Sequence, residues 1–242
     1  MVYIGTAGLL DMNIEEYSNI LNCVEINTTF YGIPQKHVWR KWKANILNEN
    51  FIFSIKAPNY LSHKKKFTVD LDFKKVWKVF WKRCQILENN LGPILFQLPP
   101  YLKFTEKIME KFKELKKFLP KWNYAFEFRN IDFYNDEMYD LFNKYKWTIV
   151  LAHINNKTQW IKNMPNKRKL YLTKEIFKSN IIYMRLHGFS GEYIGSYNKK
   201  FLNYLSEFIK KYKRKSIYII FNNTDSGDAL NNAIELSNMI GK

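Results

Sequence analysis

Short runs of β-branched and aromatic residues alternate with stretches of helical periodicity along almost the whole chain. Segments 2–6, 24–31, 51–56, 93–98, 124–129, 147–153, 181–187 and 216–222 have the length and composition of strands. Helices are predicted over 13–21, 36–44, 72–89, 105–119, 135–144, 199–212 and 228–240. Asn13 and Glu16 have the spacing of a capping box, and Thr105 stands where an N-cap is needed. The longest helix repeats Phe73, Val76, Trp77, Phe80, Cys84 and Leu87 at helical spacing, and helix 36–44 is expected to bury Val38 and Trp42. Eight strands in βα order predict a single-domain (β/α)8 TIM barrel. The alternative, an open doubly wound sheet, lacks its phosphate fingerprint: Gly5-Thr6-Ala7-Gly8 after the first strand matches neither nucleotide-binding spacing.

The period of two within each strand then sorts faces. Val24 and Ile26 point one way, Glu25 and Asn27 the other. Ser54 and Lys56, Leu95 and Gln97, Glu127 and Arg129, Arg185 and His187, and Asn222 fall on the same second face of their strands. That face turns polar toward each C-terminal end, and in a barrel it points inward. Glu25, Asn27, Lys56, Gln97, Glu127, Arg129, Arg185, His187 and Asn222 are therefore expected to ring the C-terminal mouth, with Tyr31 in the loop just above. Glu25 and Glu127 are the candidate acid–base pair, and His187 is the inward group whose unperturbed pKa lies near neutrality. Lys56, Arg129 and Arg185 are the candidate clamps for a small polar or anionic ligand. No metal or other cofactor is expected, because the one histidine and two carboxylates are interleaved with cations. The competing expectation is a closed ion-pair network, in which replacing Lys56 or Arg185 lowers stability sharply and leaves no binding to lose.

Composition adds a partner question. The 242 residues carry 39 Lys and Arg against 22 Asp and Glu, a formal charge of +17. Lysines spread over polar helix faces, such as Lys74, Lys75, Lys78 and Lys82, read first as a solvated surface. Nucleic acid is the alternative partner, most of all at segment 154–180, where Lys157, Lys162, Lys167, Arg168 and Lys169 mix with Trp160 and Tyr171. No apolar run is long enough to span a membrane and no secretory leader is evident, so a cytoplasmic location is expected. Cys23 and Cys84 have no metal or redox spacing and read as buried thiols. Length and composition do not determine an oligomeric state.

Seven blocks also resemble, in order, the signatures of the DUF72 (YecE-like) family. They are Ile4-Gly5-Thr6-Ala7-Gly8, Val24-Glu25-Ile26-Asn27-Thr28-Thr29-Phe30-Tyr31, Phe53-Ser54-Ile55-Lys56-Ala57-Pro58, Gly92-Pro93-Ile94-Leu95-Phe96-Gln97-Leu98-Pro99-Pro100, Ala125-Phe126-Glu127-Phe128-Arg129, Arg185-Leu186-His187-Gly188 and Phe221-Asn222-Asn223. The resemblance implies a TIM barrel with these blocks at strand ends and supplies no reaction. It also adds Tyr197 and His63, which match positions common in the family. The chain departs from the family's usual pattern at Leu9-Leu10-Asp11-Met12, where aromatic residues are usual, and at Asn130, where histidine is frequent.

Overall fold

The computed structural model describes residues 1–153, 179–225 and 227–241. Nine strands form one parallel sheet: β1 Val2–Ala7, β2 Cys23–Ile26, β3 Ile52–Lys56, β4 Leu91–Gln97, β5 Tyr124–Glu127, β6 Thr148–Ile149, β7 Leu151–His153, β8 Ile181–Leu186 and β9 Ser216–Phe221. Their order is β6-β5-β4-β3-β2-β1-β9-β8-β7, so the two ends of the sheet are neighbours in sequence and the barrel closes there. The segment read as one sixth strand is two. β6 pairs with β5 and β7 with β8, and between them Val150 N donates to Phe126 O at 2.9 Å. The staggered strands of a closed barrel force this, since one segment must satisfy its two neighbours at different heights.

Helices pack outside: α1 Ile14–Ile20, α2 Thr28–Tyr31, α3 Lys36–Ala44, α4 Leu71–Cys84, α5 Glu106–Phe118, α6 Asp136–Tyr145, α7 Lys199–Lys211 and α8 Asp228–Met239. The Asn13–Glu16 capping box and the Thr105 cap are formed. Three elements differ from the reading of the sequence. The second strand stops at Ile26, and Thr28–Tyr31 coils into one helical turn. The long helix ends at Cys84 and tightens into a 3-10 stretch, Gln85–Asn90, whose Glu88 has φ +47°. In α3 it is Trp39 that is wholly buried, its Nε1 donating to Pro34 O at 3.2 Å, while Val38 and Trp42 are half-buried.

Two cores result. Between strands and helices lies a layer of aromatic rings, with Phe126 against Phe96, Phe112, Phe142 and Trp147 at centroid distances of 4.8–5.7 Å. Each such buried ring contributes about 1.5–3 kcal/mol through removal of apolar surface from water. Inside the barrel, Tyr3, Cys23, Ile52, Leu95, Ala125, Tyr183, Tyr218 and Ile220 fill the lower layers, Tyr3 and Tyr218 stacking at 4.7 Å. These are the positions that alternation places on the inward face. Both cysteines are buried and free. Among the described residues no helix is long and apolar enough to cross a membrane.

Candidate functional site

Above that apolar fill the inward face becomes ionic. Parallel register brings Glu25 of β2 beside Ser54 of β3, and Gln97 of β4 beside Glu127 of β5. Arg185, from β8 and 1% exposed, spans the barrel to both carboxylates. Its Nη2 donates to Glu25 Oε1 at 2.7 Å and its Nη1 donates to Glu127 Oε2. The other oxygen of Glu25 accepts the Tyr183 hydroxyl at 2.7 Å. Ser54 Oγ lies 2.6 Å from that hydroxyl and 3.1 Å from Pro93 O. With the Tyr183 proton committed to the carboxylate, the single Ser54 proton lies between those two acceptors. Glu127 Oε1 pairs with Arg129 Nε and lies 3.1 Å from His187 Nε2. His187 Nδ1 accepts from Asn222 Nδ2 at 2.8 Å, so the ring's proton sits on Nε2 and points at Glu127.

The loop after β8 seals this histidine. It turns at Gly188, φ +132°, where a Cβ would stand 2.3 Å from Gly191 O. Only glycine fits there. The chain then returns, Tyr193 N donating to His187 O, with the Tyr193 ring edge-on to the imidazole at 5.9 Å.

Electrostatics divide these groups into two kinds. Burial opposes the ionised form of Glu127, but Arg129, Arg185 and His187 outweigh it and hold the carboxyl well below the usual range. Burial also opposes the charge on Arg185, which Glu127 and Glu25 more than restore. Burial dominates at His187, pushing its pKa down to about 3 against the pull of Glu127, so the ring is neutral near pH 7. Among the described residues two carboxylates and two guanidiniums pair with one another at the mouth, and a protonated Lys56 is a further cation outside those ion pairs. Burial, then Arg185, lowers its pKa to about 7 against the opposing pull of Glu25 and Glu127. Its Nζ stands 4.1 Å from the centroid of Phe30, a contact that favours the protonated form. His63, in the turn after β3, sets its ring edge-on to Phe30 at 5.1 Å and takes a 2.9 Å contact from Ser62. Burial and then Lys56 push its pKa down to about 4.

Glu25, Lys56, Glu127, Arg129, Arg185, His187 and Asn222 are thus brought together, all buried. Asn27 and Gln97 lie at the same strand ends, half-buried. Asn27 Oδ1 is buried and has no donor among the described residues. Tyr31 is 82% exposed and reaches the site only through the edge of Phe30, at 5.3 Å. Tyr197 lies elsewhere. It packs in the outer core against Phe201 and Phe221, its hydroxyl accepting from Gly188 N at 3.0 Å and lying 3.1 Å from His153 Nδ1. It braces the loop after β8. Three participants were not among the candidate site residues: Tyr183, Ser54 and Phe30. Alternation puts Tyr183 and Ser54 on the inward face, below the strand ends from which the candidates were drawn; Phe30 lies in a helical turn that strand periodicity cannot orient. Segment 154–178, with its lysines and Trp160, lies outside the described residues. Among those described, no three His, Cys, Asp or Glu side chains are grouped to hold a metal ion.

A closed parallel barrel whose strand ends carry an ion-paired mouth defines a protein of the TIM-barrel class. Residues 6–242 match the family described as "Protein of unknown function DUF72", and the chain belongs to that family. It is 29% identical over 123 residues to UPF0759 protein YecE of Escherichia coli K12, a match covering 50% of this chain and 43% of that relative. The chain therefore spans less than half the length of the curated relative it matches. Among solved structures it resembles a DUF72 family protein of Enterococcus faecalis V583, with TM-score 0.85, 20% identity and coverage of 100% of this chain and 96% of that one. It also resembles a DUF72 family protein of Thermotoga maritima MSB8, with TM-score 0.78, 24% identity and both chains covered in full. At these identities the likeness carries the fold.

Proposed function

We propose that this protein binds a small polar or anionic metabolite at the C-terminal mouth of the barrel and acts on it by acid–base chemistry without a metal. The observation that carries this is the position of Lys56 outside those ion pairs. Among the described residues every other ion at the mouth is paired inside the Glu25–Arg185–Glu127–Arg129 network, whereas Lys56, 8% exposed, lies against an aromatic ring. A network built only for stability has no use for an ion that none of its described members pairs, because burying it costs several kcal/mol. An incoming anion or a proton transfer supplies the use. In this reading Lys56 exchanges the proton, Glu127 is held ionised, Glu25 anchors Arg185, and His187 positions Glu127. Arg129, Asn27, Gln97 and Asn222 line the approach.

A thermal-shift screen of sugar phosphates, nucleotides and carboxylic acids tests it. A ligand at a hundred times its Kd stabilises by about 2.7 kcal/mol, which raises the Tm of a chain this long by roughly 5–10 °C. The shift is expected in the wild type and absent in Lys56→Met. If no compound moves the wild-type Tm, the reading fails. A single-stranded oligonucleotide belongs in the same screen, because Tyr31 and Tyr101 are 82% and 61% exposed and Lys66 Nζ lies 5.2 Å from the Tyr101 ring. Stabilisation by the oligonucleotide alone, lost with rising salt, points instead to nucleic-acid binding on the basic surface.

A further inference from the structure

We infer that Lys56 is a nucleophilic amine, placed to form an imine with a small hydroxylated aldehyde or ketone held at the barrel mouth. This rests on the metabolite site proposed above and names its substrate class. The first support is the isolation of the nitrogen. Among the described residues no carboxylate oxygen lies within ion-pair distance of Lys56 Nζ, since both carboxylates are occupied by Arg185, Arg129, His187 and Tyr183. Two other lysines whose ammonium forms are disfavoured by burial are held differently: Lys111 donates to Lys66 O at 3.1 Å and Lys215 to Ser179 O.

The second support is the company Lys56 keeps. Glu25 faces it from β2, Glu127 and Arg129 from the end of β5, Arg185 from β8 and His63 from the turn after β3. Burial first, then Arg185 and to a smaller extent Arg129, work against its proton more than Glu25 and Glu127 favour it, so that its pKa falls to about 7 and free amine is present at neutral pH. The third support is Asn27. The register that pairs Ile26 with Ile55 sets Asn27 alongside Lys56, and its buried Oδ1 has no donor among the described residues. A substrate hydroxyl supplies one.

The step balances without a redox partner. The Nζ lone pair adds to the carbonyl carbon, and the C=O π pair moves to oxygen, which takes up a proton shed by nitrogen. Loss of that hydroxyl with the second nitrogen proton, as water, leaves the C=N bond. Glu25 and Glu127 then favour its protonated form, an electron sink for cleavage of a neighbouring bond.

The test is reduction by sodium borohydride in the presence of dihydroxyacetone, followed by peptide mass mapping. Lys56 should carry the adduct in roughly ten-fold excess over exposed lysines near neutral pH, where an ordinary lysine is almost wholly protonated. Trapping should rise with pH through a midpoint of about 7. Lys56→Arg keeps the charge and should abolish the adduct, with Lys56→Met as the second variant if the arginine does not fit. Adducts spread over surface lysines with no excess at Lys56, in a protein that a screened compound still stabilises, overturn the imine and leave the binding site standing. No excess and no stabilising compound overturn both.

Discussion

Arg185→Met is expected to destabilise the protein by about 3–5 kcal/mol, because removing one partner leaves buried charge uncompensated. Glu25, wholly buried, loses its cation and keeps only the Tyr183 hydroxyl, while Glu127, also wholly buried, is left with Arg129 and His187 on one oxygen. At 2–4 °C per kcal/mol for a chain this long, the Tm should fall by roughly 6–20 °C. Lys56→Met should behave oppositely, staying within about 1 kcal/mol of wild type or exceeding it, since it removes a poorly solvated charge and strands no partner. Urea unfolding of the two variants against wild type measures the contrast. A closed network makes both cations structural, and equal losses for the two variants would sink the assignment of Lys56 to ligand chemistry.

Acid should unfold the protein through its histidines before its carboxylates. In the unfolded chain a histidine takes a proton near its ordinary value of 6.5, whereas folded His187 stays neutral down to about 3. Between those values the unfolded state binds more protons, so the stabilisation is complete above about 6.5 and is lost as pH falls toward 3. His153 and His63, each lowered to about 4, act in the same direction. Glu127 adds its share below the ordinary carboxyl value of 4.5. The wholly buried His187 contributes a slope of up to about 1.4 kcal/mol per pH unit, and the partly exposed His153 and His63 contribute less because solvent screens them. His187→Gln, which retains an N–H to offer Glu127, should make the stability profile shallower by about one such slope. Lys56 has the same sign at higher pH, its stabilisation being complete above 10.5 and lost as pH falls through about 7. An unchanged acid slope in His187→Gln would show that the imidazole titrates normally in the folded protein.

Much of this arrangement was legible in the residues, for reasons that also mark where legibility stops. A strand's period of two is rigid, so Glu25, Lys56, Glu127 and Arg185 could be assigned to one face and, with βα alternation, to one end of a barrel. Residues beyond the strands have no such constraint. Tyr31 was therefore placed only as lying in the loop above the ring and Tyr197 only through the family resemblance, and one reaches into solvent while the other buttresses a loop. Which cation meets which carboxylate was not readable, because the partners of Arg185 lie 58 and 160 positions away. The neutral state of His187 was hidden for a related reason: it depends on the seal that Gly188 and Tyr193 provide. The split sixth strand escaped because 149–152, where it divides, is uniformly apolar and only closure of the sheet divides it.

The cross-barrel position of Arg185 has a kinetic side. Its two ion pairs and the Tyr183 bonds to Glu25 and Ser54 join strands separated by 58 to 160 residues. Such contacts require nearly every loop to be closed already, so they form late on the folding route. Loss of Arg185 should then leave the refolding rate near that of wild type and appear almost wholly as faster unfolding. The ionic mouth would serve as a latch on a barrel that is already assembled, setting how long the protein stays folded more than how quickly it gets there.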